Sequence, residues 1–194
     1  PGERPHARIV ATTRSDPGLS LGRLRARGKL GEVRAQALAF TLEEARELLV
    51  LREGIALDDP SVELLVERTE GWPAGLYLAA LWLRTLDDPA AGVRDFHGSH
   101  RHVVDYLSGE VLDTLDTDTR RFLLESSALA RFTAPLCDWA LGRSDSHERL
   151  REIAHANGFL IPLDANGEWY RYHHLFEELL QVELARAEPD ASKR

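Results

Sequence analysis

The spacing of apolar residues changes twice along the chain. Residues 7–12 (ARIVAT) form a short run rich in β-branched side chains, followed by polar Thr13, Arg14 and Ser15, which is the pattern of a buried parallel strand. Residues 19–28 interleave leucines with arginines and predict a short helix or turn, and residues 33–40 predict an edge strand. One or two strands have no independent stability, so residues 1–40 read as the last piece of a larger α/β sheet. From Thr41 the period is helical. Thr41 and Glu44 form a capping box, Ala45, Leu48, Leu49 and Leu51 follow, and Gly54 ends the run. Asp59, with Pro60 at the first helical position, opens a helix carrying Val62, Leu65, Val66 and Thr69 as far as Gly71. Pro73 begins PAGLYLAALWLRTL, apolar nearly all round, which predicts a buried helix.

A break rich in Gly, Asp and Pro at residues 87–92 separates this cluster from a helix over residues 99–115, with Val103, Tyr106, Leu107, Val111 and Leu112 on one side. Further helices are capped by Asp116 or Thr117, by Thr133 and by Ser146, the last closing at Asn157 and Gly158 in a left-handed turn. FLIPLD, Asn166-Gly167 as a type I′ turn, and EWYRYH then predict a β-hairpin, and residues 175–187 a closing amphipathic helix. The expected fold class is mostly α. Its parts are a sheet remnant at 1–40, a small helical domain at 41–98, a linker helix and winged-helix-like domain at 99–188, and a tail at 189–194.

Composition narrows the function. The 194 residues are 43% hydrophobic and 29% charged, an ordinary globular balance. The longest strongly apolar stretch, residues 74–83, is too short for a membrane span of about 20 residues, and the N-terminus has no signal-peptide core, so a cytoplasmic location is expected. No methionine is present, and the chain reads as a segment of a longer product. Residues 1–34 hold eight Arg or Lys against Glu3, Asp16 and Glu32, while the whole chain carries a net charge of −8. An acidic body argues against a DNA-gripping module. In the helix over 147–157, Arg149 and Arg151 are matched by Glu148 and Glu152, a charge tie that does not favour DNA reading.

Catalytic and metal constellations are thin. His97, His100 and His102, with Asp105 beyond, do not repeat at the helical period, and His173 with Glu177 lacks further ligands, so no metal is expected. Ser99 and Ser126 lack a nucleophile-elbow context, and Cys137 between Leu136 and Trp139 reads as core filler. Neither a GxxxxGK[ST] phosphate loop nor a GxGxxG turn occurs, so the chain does not cradle a triphosphate by itself and is not expected to be an enzyme. Three positions remain as a set. Arg14 follows the first strand, where a guanidinium fork can read a phosphate. Pro73 opens a buried helix; its ring can lie flat on a purine, or it can simply serve as a first-turn proline. His173 ends the hairpin at the start of the last helix, where it can meet an anion or act as a cap.

The segments VATTRSDPGLSLGRLRARGKLGEVRAQALAFTLEEARELL, ERTEGWPAGLYLAAL, FHGSHRHVVDYLSGEVL and FLIPLDANGEWYRYHHLFEELL resemble, in order, the MalT-like LuxR-type transcription activators of the STAND signal-transduction NTPase class. The likeness spans nearly all of residues 6–188. It implies the end of a nucleotide-binding α/β NTPase domain, a helical lid and a winged-helix domain. It also implies roles: Arg14 as the sensor 1 arginine near the γ-phosphate, Pro73 of GWP on the adenine, and His173 of YHH reading ADP phosphates. His174 stands where the wider class has Asp. The implied cofactor is ATP or ADP, with Mg in the full-length parent. Inducer and DNA are implied to bind through domains outside this chain, and self-association to follow ATP binding. Two alternatives accompany this expectation: a nucleotide-independent helical and winged-helix interaction module, and the same lid fused to a kinase or cyclase effector.

Overall fold

A computed structural model describes residues 9–13, 20–156 and 159–187. Eleven α-helices and one two-stranded antiparallel sheet are present among them. The N-terminal expectations are corrected. Residues 9–13 form no strand, and Ile9 and Val10 are 89% and 93% exposed. A strand persists only where a neighbour accepts its backbone hydrogen bonds, and residues 9–13 are not part of the one sheet among the described residues. Leu21–Ala26 forms α1 as expected, but the predicted edge strand at 33–40 holds a helical turn, α2 (Ala35–Leu38), whose Leu38 is exposed.

The central helices follow local rules. Thr41 and Glu44 close both hydrogen bonds of the capping box ahead of α3 (Leu42–Arg46), which continues as a π-helical stretch over Glu47–Arg52. α4 (Asp59–Thr69) is capped by Asp58, one residue earlier than expected: its carboxylate accepts from the Ser61 N–H at 3.1 Å, while Asp59 and Pro60 are inside the first turn. α5 (Pro73–Leu83) buries Gly75, Leu76, Leu78, Ala79, Ala80 and Leu83. After α6 (Pro89–Gly92), the expected helix over 99–115 divides into α7 (Arg101–Glu110) and a 3-10 turn at Leu112–Thr114.

Asp116 caps α8 (Thr117–Ser126) and Thr133 caps α9 (Ala134–Leu141). Ser146 does not cap α10 (Ser146–Ala156) but is its first residue. Its N–H donates to Asp138 at 3.1 Å, and its buried hydroxyl has no partner among the described residues. The turn expected at Asn157 and Gly158 lies outside those residues. β1 (Leu160–Pro162) pairs with β2 (Tyr170–Tyr172), Leu160 opposite Tyr172, but the connection is not a type I′ turn. That turn needs positive φ at both central residues; Gly167 has φ +66 and Asn166 does not. Instead, Asp164 accepts the N–H groups of Asn166, Glu168 and Trp169 at 2.8, 3.2 and 2.6 Å and organises a longer loop.

α11 (His174–Ala187) packs on α4, α7 and α8. One hydrophobic core therefore runs from Ala45 and Leu49 through Leu76 and Val103 to Phe122, Phe176 and Leu180. Gly98 allows the close approach on one flank: a Cβ there would stand 2.1 Å from the Leu175 carbonyl oxygen, and its N–H donates to Glu178.

Candidate functional site

The candidate site forms where the C-terminus of α4 meets the junction of β2 and α11. α4 ends at Glu70 in the left-handed region (φ 50), followed by Gly71 (φ +70). Glu70 is the one non-glycine with positive φ among the described residues, a conformation that costs on the order of 1 kcal/mol and calls for compensation. Gly71 is required on two counts. Its φ suits glycine, and a Cβ would lie 2.6 Å from the Phe40 carbonyl oxygen, while the Phe40 N–H donates to the Gly71 carbonyl at 2.7 Å. Trp72 then leads into Pro73, which opens α5.

Onto this turn β2 brings Arg171, and the start of α11 brings His173 and His174. Arg171 donates twice to the Glu70 carboxylate, at 2.7 and 2.8 Å, and the His174 N–H donates to Glu70 Oε1 at 2.9 Å. Burial by itself would raise the Glu70 carboxyl pKa, but the hydrogen bonds from Arg171 and His174 outweigh it and hold the value at about 2. His173 is 6% exposed, and its Nε2 lies 2.9 Å from the Thr69 carbonyl oxygen. A carbonyl only accepts, so Nε2 carries the proton. Nδ1 is buried and has no partner among the described residues. Burial lowers the His173 pKa below its ordinary value, opposed by the Glu70 charge and the Thr69 hydrogen bond. The ring meets Trp72 and Phe159 edge-on, with centroids 5.9 and 5.8 Å away, and Trp72 in turn touches Tyr106 at 5.7 Å.

Of the three residues singled out in the sequence, the fold thus brings the Trp72-Pro73 helix start and His173 together through the Trp72 ring. Arg14 lies outside the described residues. Pro73 is half-buried at the first turn of α5. Thr69, Glu70 and Arg171 were not anticipated. A signal for Glu70 exists nonetheless: an acidic residue at a helix C-terminus opposes the helix dipole, so its presence there points to a cation arriving from elsewhere.

Among the remaining candidates, the Nδ1 of His100 is, like that of His173, buried without a partner among the described residues. Among the described residues no group of three His, Cys, Asp or Glu could hold a metal ion. His97 Nδ1 contacts Ser99 Oγ at 2.6 Å, and His100 packs on Trp82 with centroids 4.4 Å apart. Ser126 Oγ bonds the Tyr172 hydroxyl at 2.7 Å, both buried. Burial pushes the Cys137 thiol up to about 11, which makes it a poor nucleophile. On α10, Arg149 is held by Asp118 and by Asp145, at 3.0 Å from the latter, and its side chain is 17% exposed. It is therefore not presented to a DNA backbone. No helix among the described residues is long and apolar enough to cross a membrane.

Residues 108–192 match the MalT winged helix domain family. The chain is 34% identical over 193 residues to the HTH-type transcriptional regulator MalT of Vibrio cholerae, covering 95% of this chain and 21% of that protein. It is 36% identical over 188 residues to MalT of Klebsiella pneumoniae, covering 94% and 21%. It is 35% identical over 181 residues to the serine/threonine-protein kinase PknK of Mycobacterium tuberculosis, covering 93% and 16%. The chain spans about a fifth or less of the length of these relatives. The helical fold, its C-terminal hairpin and these matches agree: the chain is MalT-like, and its residues 108–192 match the MalT winged helix domain.

Proposed function

We propose that this chain is the lid of an ATP/ADP-operated switch in a signal-transduction NTPase that controls transcription. The observation that carries the reading is the buried Nδ1 of His173, a polar atom without a partner among the described residues, on a ring that meets Trp72 at the helix start that bears Pro73. Buried polar atoms are normally satisfied, so an orphan points to a group supplied by a ligand or another domain. An adenine nucleotide would supply that group, its phosphate meeting Nδ1 once the ring carries a second proton. Pro73 would lie against the base, His173 would hold phosphate from the winged-helix side, and Arg14 would approach the terminal phosphate from the nucleotide-binding side. Mg would accompany the nucleotide in the full-length protein and supply charge neutralisation. With ADP bound the lid is closed; inducer and ATP shift the population toward an open form that self-associates, while other parts of the full-length protein bind inducer and DNA. The chain itself works as a non-catalytic regulatory part.

The test is His173→Ala in the full-length protein, with ADP release and basal transcription measured together. Faster ADP release and raised basal activation are expected. Wild-type values for both would remove His173 from the switch. A second reading, the same lid fused to a kinase effector, is favoured by the likeness to PknK. The sequence of the native gene on either side of this segment separates the two.

A further inference from the structure

The site contains a charge arrangement that the switch reading does not use. Nε2–H of His173 is committed to the Thr69 carbonyl, so Nδ1 is the only ring nitrogen left to meet a ligand. In the neutral ring Nδ1 bears a lone pair, which repels a phosphate oxygen; it can donate only after a second proton arrives. The groups around the ring are few. Glu70 comes from the end of α4, Arg171 from β2 and His174 from α11; Glu177, further along α11, acts on Glu70, Arg171 and His174; Trp72 and Phe159 meet the ring edge-on, and Tyr106 of α7 packs on Trp72. Arg68, next in α4, spends its guanidinium on the carbonyls of Arg94 and Phe96. Glu70 is therefore the carboxylate placed to balance an imidazolium, and its bonds to Arg171 and to the His174 N–H fix the backbone on both sides of His173.

We infer that Glu70 is the positioning residue of the nucleotide site: it docks the β2–α11 junction so that Nε2–H stays on Thr69, and it supplies the counter-charge with which His173 takes up a proton on Nδ1 and donates it to a phosphate oxygen. The inference rests on the nucleotide reading of His173. No covalent bond changes; one proton passes from solvent to Nδ1 as the anion binds. Nδ1 is buried in this conformation, so contact requires the groups packed on the ring, Trp72 and Phe159 among them, to move. Burial keeps the free ring neutral near pH 7.5, so the proton arrives with the ligand.

The experiment is calorimetric titration of the full-length protein with ADP at about pH 7.5, where a terminal phosphate with second pKa about 6 is already ionised. Buffers of different ionisation enthalpy report the protons taken up. About one proton per ADP is expected for the wild type, with affinity falling by up to about tenfold per pH unit above that point. Glu70→Gln keeps the shape and an acceptor for the His174 N–H but removes the charge; weaker binding and reduced proton uptake are expected. His173→Asn should bind weakly, with no uptake. Wild-type binding without proton uptake overturns the inference, as does Glu70→Gln with wild-type uptake and affinity. If His173→Asn binds ADP as the wild type does, the nucleotide reading itself fails, which is a different result.

Discussion

Arg171 and Glu70 stand 101 residues apart in the chain and are joined by two parallel hydrogen bonds of 2.7 and 2.8 Å. The pair ties the C-terminus of a helix from the first half of the chain to a strand of the winged-helix part. Its side chains are 25% and 19% exposed, so solvent screens it less than a surface ion pair. It also compensates the left-handed backbone at Glu70.

Removing one partner leaves the other charge half-buried. Arg171→Ala or Glu70→Ala is expected to lower stability by about 1–3 kcal/mol, and a double-mutant cycle in urea should show strong coupling. Additive single losses would mean that the pair does not hold the two parts together.

Acid should weaken the fold in two stages. The folded-state pKa of His173 lies below 6.5, so as pH falls the unfolded chain binds the proton first and stability declines below about pH 6.5. Burial displaces His100 in the same direction, so it adds to this stage. Glu70 has a folded value of about 2 against 4.5; its contribution is complete above 4.5 and is lost as pH falls toward 2. The thermal midpoint followed across this range should fall in both windows, and His173→Asn should flatten the first. A midpoint that rises between about pH 7 and 5.5 would contradict the assignment.

Gly71→Ala combines a positive φ with a Cβ placed 2.6 Å from the Phe40 carbonyl oxygen. A loss of about 1–3 kcal/mol is expected, together with faster amide exchange at Phe40, whose N–H bonds Gly71 at 2.7 Å. Unchanged exchange at that amide would show that the turn accommodates the side chain.

Ser126 and Tyr172 offer an asymmetry. Ser126 Oγ donates to the Phe122 carbonyl at 2.6 Å and so accepts from the Tyr172 hydroxyl. Tyr172→Phe removes the donor and should cost about 1 kcal/mol, whereas Ser126→Ala strands a buried hydroxyl and should cost about 1–3 kcal/mol. Chemical denaturation that ranks them in the opposite order would show the donor assignment to be reversed.

Much of the helical framework was legible residue by residue. Thr41 with Glu44, Asp116 and Thr133 act on backbone groups within one turn, so their signals survive in any context that allows a helix. The apolar run after Pro73 likewise had to be buried. Errors fell where a local signal needed distant support or competed with a neighbour. Ile9 and Val10 resemble a strand but join no sheet among the described residues, and Asn166-Gly167 resembles a tight turn but yields to the stronger acceptor at Asp164. Pro73 and His173 were visible as candidates, because a proline at a helix start and a histidine at a strand end are local features.

The sequence by itself determined the helix caps at Thr41, Asp116 and Thr133, the buried apolar faces and the two paired strands of the hairpin, since backbone capping and hydrophobic period depend on residues a few positions apart. Only the tertiary structure decided that Thr69 would take one nitrogen of His173 and leave the other without a partner among the described residues, and that Glu70 would meet Arg171. Those contacts cross about a hundred residues, and nothing within one turn of either partner specifies them; the packing of α11 against α4 does.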